Sequence, residues 1–257
     1  MGVVNITPDS FSDGGEFLAP EAAIAQARRL VDEGAAIIDI GAESTRPGAF
    51  PVREEEEIAR LIPVLRAIAG LPVPISVDTR RPKVMRAVLS EGASMINDIE
   101  ALSSPGAIEA VAGSDCAVCL MHKKGDPETM QKDPHYDDVV SEVADFLATR
   151  AAAAESAGIA RNRIVVDPGF GFGKTAAHNL ELLRELRSLV AKGWPVLAGL
   201  SRKATLGRMT GRAAGDRMVA SVTAALLAAQ RGATILRVHD VAGTRDAIAV
   251  WQAVEAG

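Results

Sequence analysis

Asp78, Asn97, Asp167 and Lys203 each stand at or just beyond the end of a short apolar run, within Ser76-Val-Asp-Thr79, Ile96-Asn-Asp98, Asp167-Pro-Gly-Phe-Gly-Phe-Gly-Lys-Thr175 and Ser201-Arg-Lys203. Carboxylates and an amide can pair with a flat, nitrogen-rich ring that presents adjacent N–H donors and a carbonyl, such as a pterin or a guanine. Lys203 adds a donor for a ring carbonyl or nitrogen, and Phe172 offers a face to stack against. A second set, Asn5, Arg237 and His239, would meet across the seam between the first and last strands of a closed sheet. This set reads as an anion pocket: Arg forks onto phosphate oxygens, His adds a donor, and Asn5 can give a carbonyl oxygen to a Mg2+ ion bridging a pyrophosphate.

The Gly-Lys-Thr that closes the 167–175 stretch also closes a phosphate-binding P-loop, but that loop needs glycine where Pro168 stands. A dinucleotide fingerprint fails too, because Gly169, Gly171 and Gly173 alternate strictly. The stretch reads instead as Asp167 gripping a ring while the glycines let the backbone turn close to it. Two further segments, Thr7 to Gly15 and Glu43 to Ala49, follow strands without opening a helix. Loops so placed can close over a ligand, and these carry Asp13, Thr45 and Arg46.

These residues need a scaffold that gathers strand ends. Apolar runs alternate with helical patterns along the chain, the signal of parallel βα units. Strands are expected at Gly2 to Ile6, Ala35 to Ile40, Val73 to Val77, Ser94 to Asn97, Cys116 to Met121, Arg163 to Val166, Pro195 to Gly199 and Thr234 to Val238. Helices are expected at Pro20 to Glu33, Glu54 to Ala69, Pro82 to Glu91, Pro105 to Ala112, Tyr136 to Ala157, Ala176 to Lys192, Asp216 to Arg231 and Ala242 to Ala256. Ser104-Pro105 reads as a helix cap, and Gly34, Gly92, Gly158, Gly193 and Gly232 as helix-ending glycines. The pattern predicts a single (β/α)8 TIM barrel over residues 1–257, its active site at the C-terminal ends of the strands; an open doubly wound sheet is the alternative.

Every strand in this reading ends in polar residues: Asn5; Asp39 and Glu43; Asp78; Asn97 and Asp98; His122; Asp167; Ser201 and Lys203; Arg237 and His239. Local duties are open for some of them. Asp78 could cap the helix near Pro82, Asn97 could hold a turn, Asp167 could brace the glycine loop, and Arg237 could form a strand-end salt bridge. The run Glu54 to Glu57 reads as a solvated helix start favoured by the helix dipole.

Of the 257 residues 48% are hydrophobic and 4% aromatic, so Ala, Val, Leu and Ile fill the core. The net charge of −5 and pI near 5.5 argue against nucleic acid or anionic membrane as partners. No apolar run approaches a membrane span, and Met1-Gly-Val-Val lacks a leader pattern, which points to the cytoplasm. Cys116 and Cys119 lie three apart on one strand, face opposite ways, and read as inert core thiols.

The chain resembles the bacterial dihydropteroate synthases, the sulfonamide targets of folate biosynthesis. The resemblance rests on Asn5-Ile-Thr-Pro-Asp-Ser-Phe-Ser-Asp-Gly-Gly15, Asp39-Ile-Gly-Ala-Glu-Ser-Thr-Arg-Pro-Gly48, Met121-His122, Arg237-Val-His-Asp240 and the four stretches quoted first, which span nearly the whole chain in order. It implies attack by the p-aminobenzoate amine on the methylene of 6-hydroxymethyl-7,8-dihydropterin diphosphate, with pyrophosphate leaving by a dissociative, SN1-like route. In that scheme Asp78, Asn97, Asp167 and Lys203 hold the pterin, while Asn5 with Mg2+, Arg237 and His239 hold the diphosphate. Phe11, Thr45, Arg46, Pro47 and Ser201 line the p-aminobenzoate site, Asp13 sits on the closing loop, and the protein is a homodimer. A folate-to-corrinoid methyltransferase barrel would share the ring contacts but has no use for Ser201-Arg-Lys203 and Arg237-Val-His239. An inactive pterin-binding paralogue has no use for Asp13, Thr45 and Arg46. The chain departs from the family at Lys123-Lys124, where a further apolar residue is common, and at its start, where relatives carry residues ahead of the first strand.

Overall fold

The computed structural model describes residues 1–6, 19–43, 52–125, 130 and 132–256. Phe11, Asp13, Thr45, Arg46 and Pro47 lie outside the described residues. Among the described residues, eight parallel strands are interleaved with ten α-helices: β1 Gly2–Asn5, α1 Ala19–Asp32, β2 Ile38–Gly41, α2 Glu54–Ile68, β3 Ile75–Asp78, α3 Pro82–Ser90, β4 Met95–Asp98, α4 Ala107–Ala112 and β5 Ala117–Met121. They continue with α5 Val139–Ser156, β6 Ile164–Asp167, α6 Ala176–Arg184, α7 Leu186–Val190, β7 Leu197–Ala198, α8 Ala204–Thr210, α9 Met218–Ala229, β8 Ile235–Leu236 and α10 Val241–Glu255.

Strands β1 to β6 form one sheet in sequence order, and β7 with β8 a second. Single bridges join them at both seams, Val166 to Val196 and Gly2 to Val238. Backbone bonds reinforce these seams, from Val166 N to Pro195 O at 2.9 Å and from Val3 N to Val238 O at 3.1 Å. The ring is therefore a TIM barrel whose last two strands are tied in by bridges rather than long ladders.

Two apolar clusters follow from the two faces of the strands. The larger packs strand residues such as Val4, Ile38, Val77 and Val118 against the helices. The smaller, Met95, Cys119, Val165 and Leu197, fills the barrel interior beneath the strand ends. Cys116 and Cys119 fall in different clusters, as opposite strand faces require, and both are free and buried.

Several boundaries differ from the sequence expectations, each for a local reason. Ser104 does not cap α4, because its hydroxyl donates to Glu100 Oε2 at 2.6 Å; the helix starts after Gly106, at φ +82°. The expected helix from Ala176 to Lys192 breaks at Glu185 into α6 and α7, and α8 was not anticipated. The expected helix from Tyr136 starts at Val139 behind Asp138, whose carboxylate accepts from Val140 N and Ser141 N; Tyr136 turns inward and donates to Gly173 O at 2.8 Å. Glu57 corrects the reading of a solvated helix start: it is 1% exposed and takes Arg81 Nη1 at 2.7 Å. The five helix-ending glycines are all at positive φ, as expected.

Candidate active site

Strand parity aims Asp39 of β2, Asp78 of β3, Asn97 of β4 and Asp167 of β6 into the barrel, above the apolar interior cluster. Asp39 pairs in register with Ser76, and Gly41 with Asp78. A Cβ at Gly41 would lie 3.3 Å from Asp78 Cβ, so glycine there leaves room for the carboxylate. Arg237, one residue past β8, reaches across the mouth, donating from Nε to Asp39 Oδ2 at 2.6 Å and from Nη2 to Asp78 Oδ2 at 2.9 Å. Asn97 Nδ2 reaches the same Asp39 oxygen at 3.3 Å. Asp39 Oδ1 is buried without a hydrogen-bond partner among the described residues.

Of Asn5, His239 and Arg237, the first two share a cavity lining and the structure turns the guanidinium of Arg237 into the barrel mouth. Its guanidinium is engaged by the two inward carboxylates, because Asp39 lies one turn of pleat below the rim. Asn5 and His239 instead share the lining of a cavity of about 510 Å3 with Arg202 and Asp240. Ser201 Oγ lies 2.9 Å from His239 Nδ1 and accepts from His239 N at 3.3 Å, so the residue expected at the p-aminobenzoate site touches one expected at the diphosphate.

The 167–175 loop is shaped by its three alternating glycines, at φ +67°, +81° and +64°. A Cβ at Gly169 would sit 1.9 Å from His122 O and one at Gly173 2.1 Å from Lys124 O, so the loop lies backbone to backbone on the segment after β5. Asp167 Oδ1 does brace the loop, accepting from Gly169 N at 2.7 Å. Phe172 lies under Lys203, whose Nζ stands 4.1 Å from the ring centroid.

Two of the proposed local duties are absent. Asp78 does not cap α3, whose N-cap Arg81 makes no side-chain cap, and the turn after β4 is held by Asp98, which accepts from Glu100 N and Leu102 N. Lys123 pairs with Glu100 at 2.9 Å, and Lys124 lies over the Tyr136 ring and donates to His135 O; the departure from the family pattern thus serves local pairing.

Burial dominates the electrostatics. It pushes Asp78 up to about 7 against the pull of Arg237, with Asp39 adding to the rise. It also raises Asp167, and it lowers Lys203 to about 8 with help from Arg237. Burial opposes the charge on Arg237, yet Asp39 and Asp78 outweigh it and hold the guanidinium protonated. The mouth is thus a partly buried, interleaved set of carboxylates and cations, suited to bind a polar ring and to meet a charge that develops on it.

A parallel barrel with such a cluster at the C-terminal mouth defines an enzyme that works on a small polar ring compound. Residues 1–239 match the family of pterin binding enzymes. The dihydropteroate synthase of Neisseria meningitidis serogroup B is 52% identical over 99% of this chain and 92% of its own length. Among solved structures, that of Xanthomonas albilineans dihydropteroate synthase with 4-aminobenzoic acid superposes with a TM-score of 0.95 at 56% identity, covering 100% of this chain and 93% of the other. The Yersinia pestis dihydropteroate synthase in complex with a sulfonamide drug gives a TM-score of 0.95 at 44% identity, covering 100% and 94%. The chain belongs to the pterin-binding enzymes and, within them, to the dihydropteroate synthases, which are transferases.

Three residues carry more of this site than the sequence reading gave them. Asp39 was only one strand-end residue among many, although its even spacing from Gly41 places both on one strand face. Arg202 sits at φ +59° and pairs with Asp240 at 2.8 Å, which splays Ser201 and Lys203 to different sides. Lys174, set aside with the P-loop, is buried.

Proposed function

We propose that this barrel joins the methylene carbon of 6-hydroxymethyl-7,8-dihydropterin diphosphate to the amine of p-aminobenzoate. The methylene C–O bond breaks, a C–N bond forms, pyrophosphate leaves and the amine loses a proton. Asp78, Asn97, Asp167 and Lys203 hold the ring, with Phe172 beside it. The carrying observation is the cluster of Asp39, Asp78, Asp167, Arg237 and Lys203, in which Asp39 and Asp167 are buried, the other three are half-buried, and Arg237 bridges Asp39 and Asp78, so that solvent screens these groups only weakly. A dissociative route places positive charge on the ring as pyrophosphate departs, and Asp78 and Asp167 are the groups set to stabilise it.

Asn5 and His239 share the adjoining cavity and supply the diphosphate side, with Ser201 oriented by His239 toward p-aminobenzoate. Among the described residues no three His, Cys, Asp or Glu side chains form a metal cage. In this proposal Asn5 is the side-chain contact for Mg2+, since its amide oxygen is a hard donor and Mg2+ takes most of its ligands from water and substrate phosphates. When bound, Mg2+ would offset charge on the leaving pyrophosphate. Asp13, Phe11, Thr45, Arg46 and Pro47 complete the p-aminobenzoate side of this proposal. Sulfonamides would compete there; the Yersinia pestis dihydropteroate synthase has been solved in complex with a sulfonamide drug. We place the protein in the cytoplasm as a homodimer; among the described residues no helix is long and apolar enough to cross a membrane.

Mass-spectrometric detection of dihydropteroate from purified protein, both substrates and Mg2+ tests the reading. Product that vanishes when either substrate is omitted is the expected result. Binding of the dihydropterin diphosphate without turnover would overturn it in favour of a binding protein.

A further inference from the structure

The lysine of the Gly-Lys-Thr sequence does not face the site. Lys174 is 2% exposed, and its Nζ donates to Gly169 O at 2.9 Å, Phe172 O at 3.0 Å and His122 O at 3.3 Å. It also lies 2.9 Å from His122 Nδ1. An ammonium has donors only, so Nδ1 is the acceptor and the imidazole proton sits on Nε2. Burial and then the lysine itself draw His122 down to about 3, which keeps that ring neutral; its position is fixed edge-on against Phe146, 4.9 Å between centroids. Burial pulls Lys174 down to about 7, with Asp167 pulling it up and Lys203 pulling it down; the three carbonyl acceptors around Nζ match the three N–H donors of an ammonium and exceed the two of a neutral amine, which selects the ammonium.

The arrangement has a cause in the loop. Positive φ at Gly169, Gly171 and Gly173 turns main-chain carbonyls of one short loop inward, where their dipoles would repel without a cation between them. Two of the lysine's acceptors, Gly169 and Phe172, belong to this loop. Gly169 N holds Asp167 Oδ1, and Phe172 presents its ring to Lys203. The remaining acceptors, both on His122, tie the loop to the end of β5.

We infer that Lys174 is a positioning residue, an internal cation that gathers the carbonyls of Gly169, Phe172 and His122 and thereby sets Phe172 and Asp167 against the pterin ring. The inference rests on the assignment of those two residues to the ring made above. It is tested by the affinity for 6-hydroxymethylpterin, followed by pterin fluorescence well below each variant's Tm, in the parent, Phe172→Ala and Lys174→Met. A purely structural lysine would lower Tm and leave this affinity alone. Lys174→Met is expected to weaken binding about tenfold, in step with Phe172→Ala. Parental affinity in folded Lys174→Met, while Phe172→Ala binds weakly, overturns the inference. Parental affinity in Phe172→Ala removes Phe172 from the ring site, and the inference with it. If Lys174→Met does not fold, Lys174→Gln, which keeps two N–H donors, is measured instead. A loss of about threefold is then expected, and parental affinity overturns the inference.

Discussion

At Asp78 two physical effects meet, and in the proposed reading their balance should set the working pH. Burial outweighs Arg237 and places the carboxyl near 7, while Lys203 is brought down to about 8. The ring contacts assigned above need Asp78 ionised and Lys203 protonated, so kcat/KM for the dihydropterin diphosphate should rise through about pH 7 and fall above about pH 8. Asp78→Asn should abolish the acid limb, and a limb that persists in this variant would refute the assignment. The same shift has a stability consequence of definite sign. The folded chain keeps the Asp78 proton from 3.8, its ordinary value, up to about 7, so this contribution is complete below 3.8 and lost as pH rises through 7. Asp167 braces Gly169 and, in the proposed reading, also stands by the reacting ring. Asp167→Asn should cost kcat at least about hundredfold. Its affinity for pyrophosphate, measured as product inhibition, should change far less; equal, small losses in both would sink the role.

The 167–175 loop turns these residue properties into a rigid element, and two glycines separate conformation from contact. Gly158 has φ +92° with nothing near its missing Cβ, whereas Gly169 has φ +67° and a carbonyl 1.9 Å from that position. In urea denaturation Gly158→Ala should therefore cost about 1 kcal/mol, the left-handed strain alone. Gly169→Ala should cost roughly 3 kcal/mol or more, because backbone must move as well. Comparable losses would mean the loop is not pinned on His122. That these glycines bend the chain toward the site was legible in the sequence, because strict alternation after an apolar run has few other uses. The eight strands and the polar strand ends were legible for a similar reason, since period and position carry them. Other features depend on partners distant in sequence. Arg237 turns inward because Asp39 waits 198 residues away, and α8 escaped notice because Gly207 lowers its helix propensity. That glycine leaves room for the Arg217 side chain: a Cβ there would lie 2.2 Å from Nη2, on a guanidinium that bonds Arg202 O. The break at Glu185 has no proline or glycine to announce it.

The large exposed apolar side chains among the described residues all lie on the last third of the barrel's outer ring. Leu180 of α6, Met209 of α8, Met218 and Val219 of α9, and Val250 and Val254 of α10 are the set, with Val219 72% and Val254 73% exposed. Helices that follow one another in sequence are neighbours around a barrel, so these residues share one flank rather than being scattered. Single exposed apolar residues are ordinary; under the proposed homodimer, those on these neighbouring helices are the candidate contact surface, and a two-fold dimer is its simplest closure. Sedimentation should therefore give twice the chain mass of 26.8 kDa. Val219→Asp combined with Val254→Asp should shift the protein to the single-chain mass while leaving pterin affinity intact, because Asp39, Asp78, Asn97, Asp167 and Arg237 come from one chain and face the barrel interior. A parent that sediments as a monomer would exclude the dimer. A dissociated variant that loses pterin binding would show instead that the flank holds the turn of Ser201 and Lys203 through Arg217 and Ser221 of the α9 start.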